Sequence, residues 1–488
     1  MKKVSIILVI IMALSLITAC ADTKTDTPAQ TVSTTAAGET EEIIVETTEL
    51  QPDIPADVNF DGYEFIAMVR GETFNEWQSQ DIYVVEQNGE PVNDAVYTRN
   101  VYLEEKLNIK INEFQGSGDL ASVAKKSIQA GSDDYDILMA NTNETASLAS
   151  QGFLHDLHTV PYLDVEKPWW DERSVKQYSL ANKLYFMTGD LSIMTNDATW
   201  ILMFNKAIAE DYNLESLYNV VESNKWTMDK MLELMTTVAK DVNGDGAMNH
   251  ADDMFGFLTH GSSYEGFFFG SGSRTTSKDA DDMPFLDMNN ERIIGVVEKT
   301  NKIMINKDAT APLNLAPVEV MQPMFEGNRA LFYGEVLQCI IRLRAMEIDF
   351  GVLPFPKYDE SQEEYSHYVN NTACMLSIPL TNIELERTGI ILEAMAAKST
   401  STLQEAYYDV CLEGKFMRDE ESKTMLDIIL NTRNFDIGYV YNWGSLFTTF
   451  SASAGSGNND FASKYEAAES KAITAMEKTL EQWIEGAV

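Results

Sequence analysis

Tyr135-Asp136-Ile137-Leu138-Met139-Ala140 is a short, mostly apolar run that stops at the polar triplet Asn141-Thr142-Asn143. A run of that length with polar residues at its end reads as a buried strand. Working back from it, Leu120–Ala130 reads as a helix and Ile109–Phe114 alternates like a strand. Before these come a helix over Asp94–Leu107, with Val96, Val101, Leu103 and Leu107 as its apolar positions, and a strand over Tyr63–Val69. Strand and helix alternate, which is the pattern of an α/β fold with a largely parallel sheet. In such sheets ligands sit in loops beyond the carboxyl ends of the strands.

The same grammar continues downstream. Trp200–Phe204 is an apolar strand, and Met228, Met231, Leu232, Met235 and Val238 share one helical face. Ile293–Met304 and Val318–Phe325 read as helices, and Ala330–Tyr333, Phe350–Leu353 and Thr372–Ile378 as strands. A helix over Glu384–Ala397 follows. The chain closes with an amphipathic helix marked by Phe461, Tyr465, Ala468, Ala472, Met476, Leu480 and Trp483. No internal repeat is visible.

Residues 1–19 have a different character. Lys2-Lys3 precede an apolar run from Val4 to Ile17, which ends in Thr18-Ala19-Cys20. This is an export signal with small residues before its cleavage point. Its apolar run of about fourteen residues is short of the roughly twenty that a span needs. The pattern resembles the lipobox of bacterial lipoproteins. That implies cleavage before Cys20, a thiol that takes acyl chains such as palmitate, and anchoring on the extracytoplasmic face of the bacterial membrane. From residue 20 to residue 56 the chain is rich in Thr, Glu, Asp and Pro and has no aromatic residue. It cannot bury enough apolar surface to offset its ordering entropy, so it reads as a disordered tether.

The chain has 488 residues and a formal net charge of −40. Nucleic acid, whose phosphates need Lys and Arg, is excluded as a partner, and so is binding flat on an anionic membrane. Cys339, Cys374 and Cys411 each lie among apolar neighbours and read as small buried hydrophobes. Being odd in number they cannot all pair together, although one internal disulfide stays open. Five scattered His residues and no paired Cys argue against a zinc site.

The sharpest motif is Asp241-Val242-Asn243-Gly244-Asp245-Gly246-Ala247-Met248-Asn249-His250-Ala251-Asp252. Oxygen-bearing side chains stand at positions one, three, five, nine and twelve, with Gly at six, the spacing of an EF-hand loop with Asp in place of the usual Glu. Asp241, Asn243, Asp245, Asn249 and Asp252, with the Ala247 carbonyl, are therefore candidate ligands for a structural calcium ion. The same residues also suit an acidic, Gly-rich surface turn without metal. A dockerin module would need a second copy, and none is present.

Several segments together resemble one family. They are Lys167-Pro168-Trp169-Trp170-Asp171, Lys183-Leu184-Tyr185-Phe186, Met203-Phe204-Asn205-Lys206, Phe325-Glu326-Gly327-Asn328-Arg329-Ala330-Leu331 and Asp349-Phe350-Gly351-Val352-Leu353-Pro354-Phe355-Pro356-Lys357. Their order behind a lipobox is similar to that in extracellular solute-binding proteins of family 1, the receptors of carbohydrate-type ABC importers. The resemblance covers about residues 58–485. It implies two α/β lobes, hinge strands and an interlobe cleft. One lobe is residues 57–197 plus about 371–415. The other is 198–370 plus about 416–488, with the 241–252 loop. Chain crossings are expected near Asp197–Trp200, Tyr368–Thr372 and 413–430.

The implied ligand is a small solute, a sugar or oligosaccharide, delivered to permease subunits by a monomeric receptor. Sugars need flat rings to stack on and carboxylates or amides for their hydroxyls. Candidates at strand ends and loops are Asn141, Asn143, Asp190, Asp197, Tyr264, Tyr333, Glu335, Tyr441 and Trp443. The Tyr441-Trp443 stretch reads equally as a stacking platform or as core packing. Trp169-Trp170 reads as a packed turn. Phe267-Phe268-Phe269 suits either a cleft lining or core. Competing classes are a lipid-anchored glycoside hydrolase, a peptide-binding lipoprotein and a calcium-using surface scaffold. No nucleophile elbow, zinc motif or phosphate loop is present to favour an enzyme.

Overall fold

Helix Pro91–Leu107 starts with Pro at its first turn and ends where Asn108 takes a left-handed φ of 50°. Both are ordinary boundary devices. That turn delivers the chain directly into strand Ile109–Gly116. Helix Leu120–Gln129 is capped by Asp119, whose side chain accepts from Ser122 N, and strand Ile137–Asn141 follows. The computed structural model describes residues 50–311, 318–343, 347, 349–412 and 420–485. The signal segment, Cys20, most of the tether, the Cys411 side chain and part of the crossing expected at 413–430 lie outside the described residues.

In the first sheet, Tyr63–Arg70 pairs in parallel with both Ile109–Gly116 and Ile137–Asn141. Strand Cys374–Ser377 returns from far along the chain and lies antiparallel to Ile137–Asn141, with Cys374 opposite Asn141. The order is 374–377, 137–141, 63–70, 109–116. The second sheet has the order 255–258, 330–336, 200–205, 350–353. Here Phe255–Leu258 and Ala330–Val336 run parallel, while Trp200–Asn205 is antiparallel to both of its neighbours. Every residue of Trp200–Asn205 and Ala330–Val336 is buried, as expected of strands covered on both faces. The parallel expectation thus holds in the first lobe, and the second sheet is mixed.

The lobes meet where three chain segments run side by side. Thr199 forms an antiparallel bridge with Val369, and Asn370 N donates to Ala198 O at 2.9 Å. His367-Tyr368 pairs in parallel with Arg433-Asn434. Arg433 donates to Asp171 at 2.7 Å, and also to Asn196. The last helix, Phe461–Glu485, packs on helix Leu446–Ala454, and its Trp483 sits edge-on to Tyr185, 4.8 Å between ring centres. Among the described residues, no helix is long and apolar enough to cross a membrane. Ile54 and Val58 pack half-buried against the core, just ahead of the first strand. Cys339 and Cys374 are buried, and burial pushes the Cys374 thiol up to about 12.

Candidate functional site

Beyond Arg70 the chain turns through Gly71, where a side chain would press to 3.0 Å on the Gly116 carbonyl. It then passes through the short helix Glu72–Trp77 into Gln78-Ser79-Gln80. Ser79 N donates to Arg70 O at 3.0 Å, and Ser79 Oγ donates to Asp81 at 2.7 Å. Asp81 is buried, and its second oxygen accepts from Ser192 Oγ at 2.5 Å and from Ile193 N at 3.0 Å. This loop, which follows a parallel strand, is thereby fastened to the segment that enters the first crossing. Arg99 lies buried beneath, donating to Ile82 O at 2.8 Å. Burial lowers its guanidinium to about 10, and Asp81 opposes that shift.

The facing wall is the helix Cys339–Leu343, which follows strand Ala330–Val336. Gln338 N donates to Asp197 O at 3.2 Å, and Leu337 N donates to Thr199 O at 2.8 Å. Between the walls is a cavity of about 730 Å³. From the first lobe it is lined by Gln78, Gln80, Tyr83, Glu113 and Gln115, from the second by Gln338, Ile341 and Arg342, and between them by Asp197 and Tyr407. Asp197 accepts the Tyr407 hydroxyl at 2.8 Å. Burial pushes its carboxyl up to about 7 with help from Asp81, against the pull of Tyr407, Gln338 and Arg342. Glu113 is also raised, chiefly by burial. The lining combines amides, carboxyl groups, one guanidinium and two phenols, a surface built to exchange hydrogen bonds with a polar ligand. A second cavity of about 420 Å³ lies beyond Tyr407, against Asn196, Gln404 and Tyr408.

The residues singled out from the sequence are dispersed. Asp197 lines the interlobe cavity. Asn141 ends its strand and caps helix Thr142–Ser150, forming a reciprocal box with Glu144. Asn143 is exposed and accepts from Asn371 at 3.1 Å. Asp190 accepts from Thr400 at 2.6 Å, and burial raises it to about 6. Tyr264 is half-buried, its hydroxyl close against Gly455. Tyr333 is buried beside Phe325, with its hydroxyl 3.5 Å from Glu335, whose other oxygen accepts from Val336 N at 2.9 Å.

Tyr441 and Trp443 stack on each other, 5.6 Å apart and within 6° of parallel, but they do so inside the scaffold. Tyr441 OH donates to Ala146 O and accepts from Ser150 and Trp483, each at 2.9 Å. Trp443 Nε1 donates to Thr479 at 2.9 Å. Trp169 and Trp170 are buried, the latter donating to Glu393 at 3.0 Å. Phe267, Phe268 and Phe269 are all buried in one helix. Sequence reasoning missed Gln78, Tyr83, Glu113, Gln115, Gln338, Arg342 and Tyr407. Glu113 and Gln115 left a trace, since they stand two apart at the polar end of an alternating strand. Tyr407 left none.

Residues 84–369 match a family model described as bacterial extracellular solute-binding protein. The chain belongs to this family. Its members are binding proteins and not enzymes. No curated protein matches the chain by sequence. Among solved structures, M. tuberculosis UspC shares 12% identity at a TM-score of 0.56, with 84% of this chain and 100% of that one covered. Maltose-binding periplasmic protein MalE from Listeria monocytogenes, solved with maltose, gives 14% identity, a TM-score of 0.52 and coverage of 87% and 99%. An ABC substrate-binding protein from the same organism, solved with cycloalternan, gives 10%, 0.51, 88% and 99%. At these identities the likeness establishes the two-lobed fold.

In this solute-binding protein the 241–252 loop hangs from helix Met228–Val238 and returns into strand Phe255–Leu258. Asp241 accepts from Gly244 N at 2.7 Å and Gly246 N at 2.8 Å, and Asp245 accepts from Ala247 N at 2.9 Å. Asn243 accepts from Asp245 N at 2.9 Å, and Asn249 from Asp252 N at 3.2 Å. The loop is closed by buried Asp253, which accepts from Val242 N at 2.9 Å and Asn249 N at 2.7 Å. Asp252 itself is exposed. Among the described residues, no three Asp, Glu, His or Cys side chains are grouped to hold a metal.

Proposed function

We propose that this solute-binding protein is a membrane-anchored receptor that binds a sugar or oligosaccharide between its lobes and delivers it to an ABC import permease. The observation that carries the reading is the 730 Å³ cavity, which both lobes line with amides, carboxyl groups and tyrosines around Asp197. A ligand that touches both walls favours the closed arrangement over the open one by its differential contacts. The solved neighbours bound to maltose and cycloalternan support the same ligand class. A thermal-shift screen against mono- and oligosaccharides tests it, because a ligand that binds only the native state raises stability. Stabilisation by peptides alone would refute it.

The anchor is the lipid on Cys20 after loss of residues 1–19. The tether confines a monomeric receptor near its permease and raises their effective concentration. Intact-mass analysis of the membrane fraction, showing diacylation at Cys20, tests the anchor. Calcium binds the 241–252 loop as a structural staple, with Asp241, Asn243, Asp245, Asn249, Asp252 and the Ala247 carbonyl as ligands. An extracellular loop of this spacing stays filled at millimolar calcium even when its affinity is weak. Calorimetric titration of chelator-treated protein with no heat would refute that part.

A further inference from the structure

Glu113 and Asp197 line the cleft with the exposed Glu90, and buried Asp81 is hydrogen-bonded to Ser79 of the lining; Asp81 and Asp197 each have a cation in electrostatic range. Arg99 acts with Asp81, and Arg342 with Asp197. Glu113 differs. The influences on it are its own burial, the Gln115 amide and Asp81, a like charge. Gln115 Nε2 donates to Glu113 Oε1 at 2.6 Å, whereas Oε2 is buried and has no partner among the described residues. Arg70 is near in sequence register but turned away. Ala67 stands opposite Glu113, and alternation along the strand sends Arg70 to the other face, where it lies over the Phe74 ring. A partly buried carboxylate with an unused acceptor and a like-charged neighbour is costly unless a donor arrives.

We propose that the ligand supplies that donor as an ammonium group: the cleft selects an amino sugar or amino-oligosaccharide, and Glu113 is the residue that reads its charge. This rests on the sugar-receptor reading and adds the substrate class. An ammonium brings three donors and offsets the repulsion between Glu113 and Asp81. The neighbouring Gln78, Gln80 and Gln338 are neutral and suit the hydroxyls. Acetylation of the nitrogen removes the charge while leaving the ring.

The test is calorimetric titration of the full soluble body near neutral pH with three ligands: a β-1,4-linked glucosamine trimer, its N-acetylated form and maltotriose. Wild type and Glu113→Gln are compared. The glucosamine trimer is expected to bind about ten-fold tighter than either other ligand, the scale of one charge-assisted bond. Glu113→Gln is expected to erase that preference, so that the variant binds the glucosamine trimer no more than about two-fold tighter than its N-acetylated form. Thermal unfolding of the unliganded variant checks its fold; if the variant is unfolded, the wild-type preference decides alone. Neutral trimers binding as tightly as the amine trimer overturn the inference and leave the sugar-receptor reading intact. No binding of any sugar, with binding of spermidine, overturns both the sugar reading and the amino-sugar class.

Discussion

Replacing Trp443 separates scaffold from site. Its indole is almost fully buried, at 4% exposure, and stacked on Tyr441. Gly444, at a φ of 62°, brings the backbone so close to Ala472 that a side chain there would lie 2.6 Å from its Cβ. Deleting a packed indole costs about 3–5 kcal/mol. Trp443→Phe keeps a ring against Tyr441 and loses the bond to Thr479, at about 1–2 kcal/mol. Thr479 keeps a partner, because it also donates to Ala475 O at 3.0 Å. Urea unfolding followed by circular dichroism gives the stability, and calorimetry with the best sugar gives the affinity. Trp443→Ala and Trp443→Phe are expected to lose stability by these amounts while the folded protein binds within about two-fold of wild type. A Trp443→Phe protein with unchanged stability and more than about ten-fold weaker binding would refute the scaffold assignment and restore a stacking role.

Stability should fall as pH rises from about 5 to 7, because over that range the folded state holds protons that the unfolded chain has released. Burial raises Asp197, Glu265 and Glu393 to about 7 and Asp190 to about 6, so their contribution is present at acid pH and lost through those values. Burial holds His367 down to about 3, and it opposes this trend only below its usual value of about 6.5. Glu393→Gln should flatten the slope of the urea midpoint against pH; a profile that rises from about 5 to 7 contradicts the reasoning. Asp253→Ala removes the acceptor of two loop N–H groups and should cost about 2–4 kcal/mol with or without calcium, whereas Asp252→Ala should weaken only the calcium-induced rise in melting temperature. Gly256→Ala would place a Cβ 2.1 Å from the Met235 carbonyl, and thermal unfolding should show a loss of at least about 1–3 kcal/mol.

Legibility followed the physics of each signal. Strands such as Trp200–Asn205 and helices such as Met228–Val238 were readable because apolar periodicity is a local property. The boundary at Asn108 held, whereas the strand read as Trp200–Phe204 runs on to Asn205, which caps the helix that follows. Asp197 was found because it precedes a recognisable strand at a crossing. Tyr441 and Trp443 show the opposite case. An aromatic-rich loop has the same composition whether its rings face a sugar or another helix, and only the packing of Phe461–Glu485 chooses between them.

The sequence by itself determined the α/β class, the order of the elements and the family, because each is written in local spacing or in an ordered set of motifs. The tertiary structure decided which strand ends share a cleft. Glu113, Gln338 and Tyr407 lie far apart along the chain and meet only because the first sheet takes back strand Cys374–Ser377 and the chain then runs through helix Glu405–Leu412 beside the hinge. It also decided which acid lacks a cation among the described residues. That depends on which face of a strand each side chain occupies and on what stands across the gap, and neither is a property of neighbouring residues.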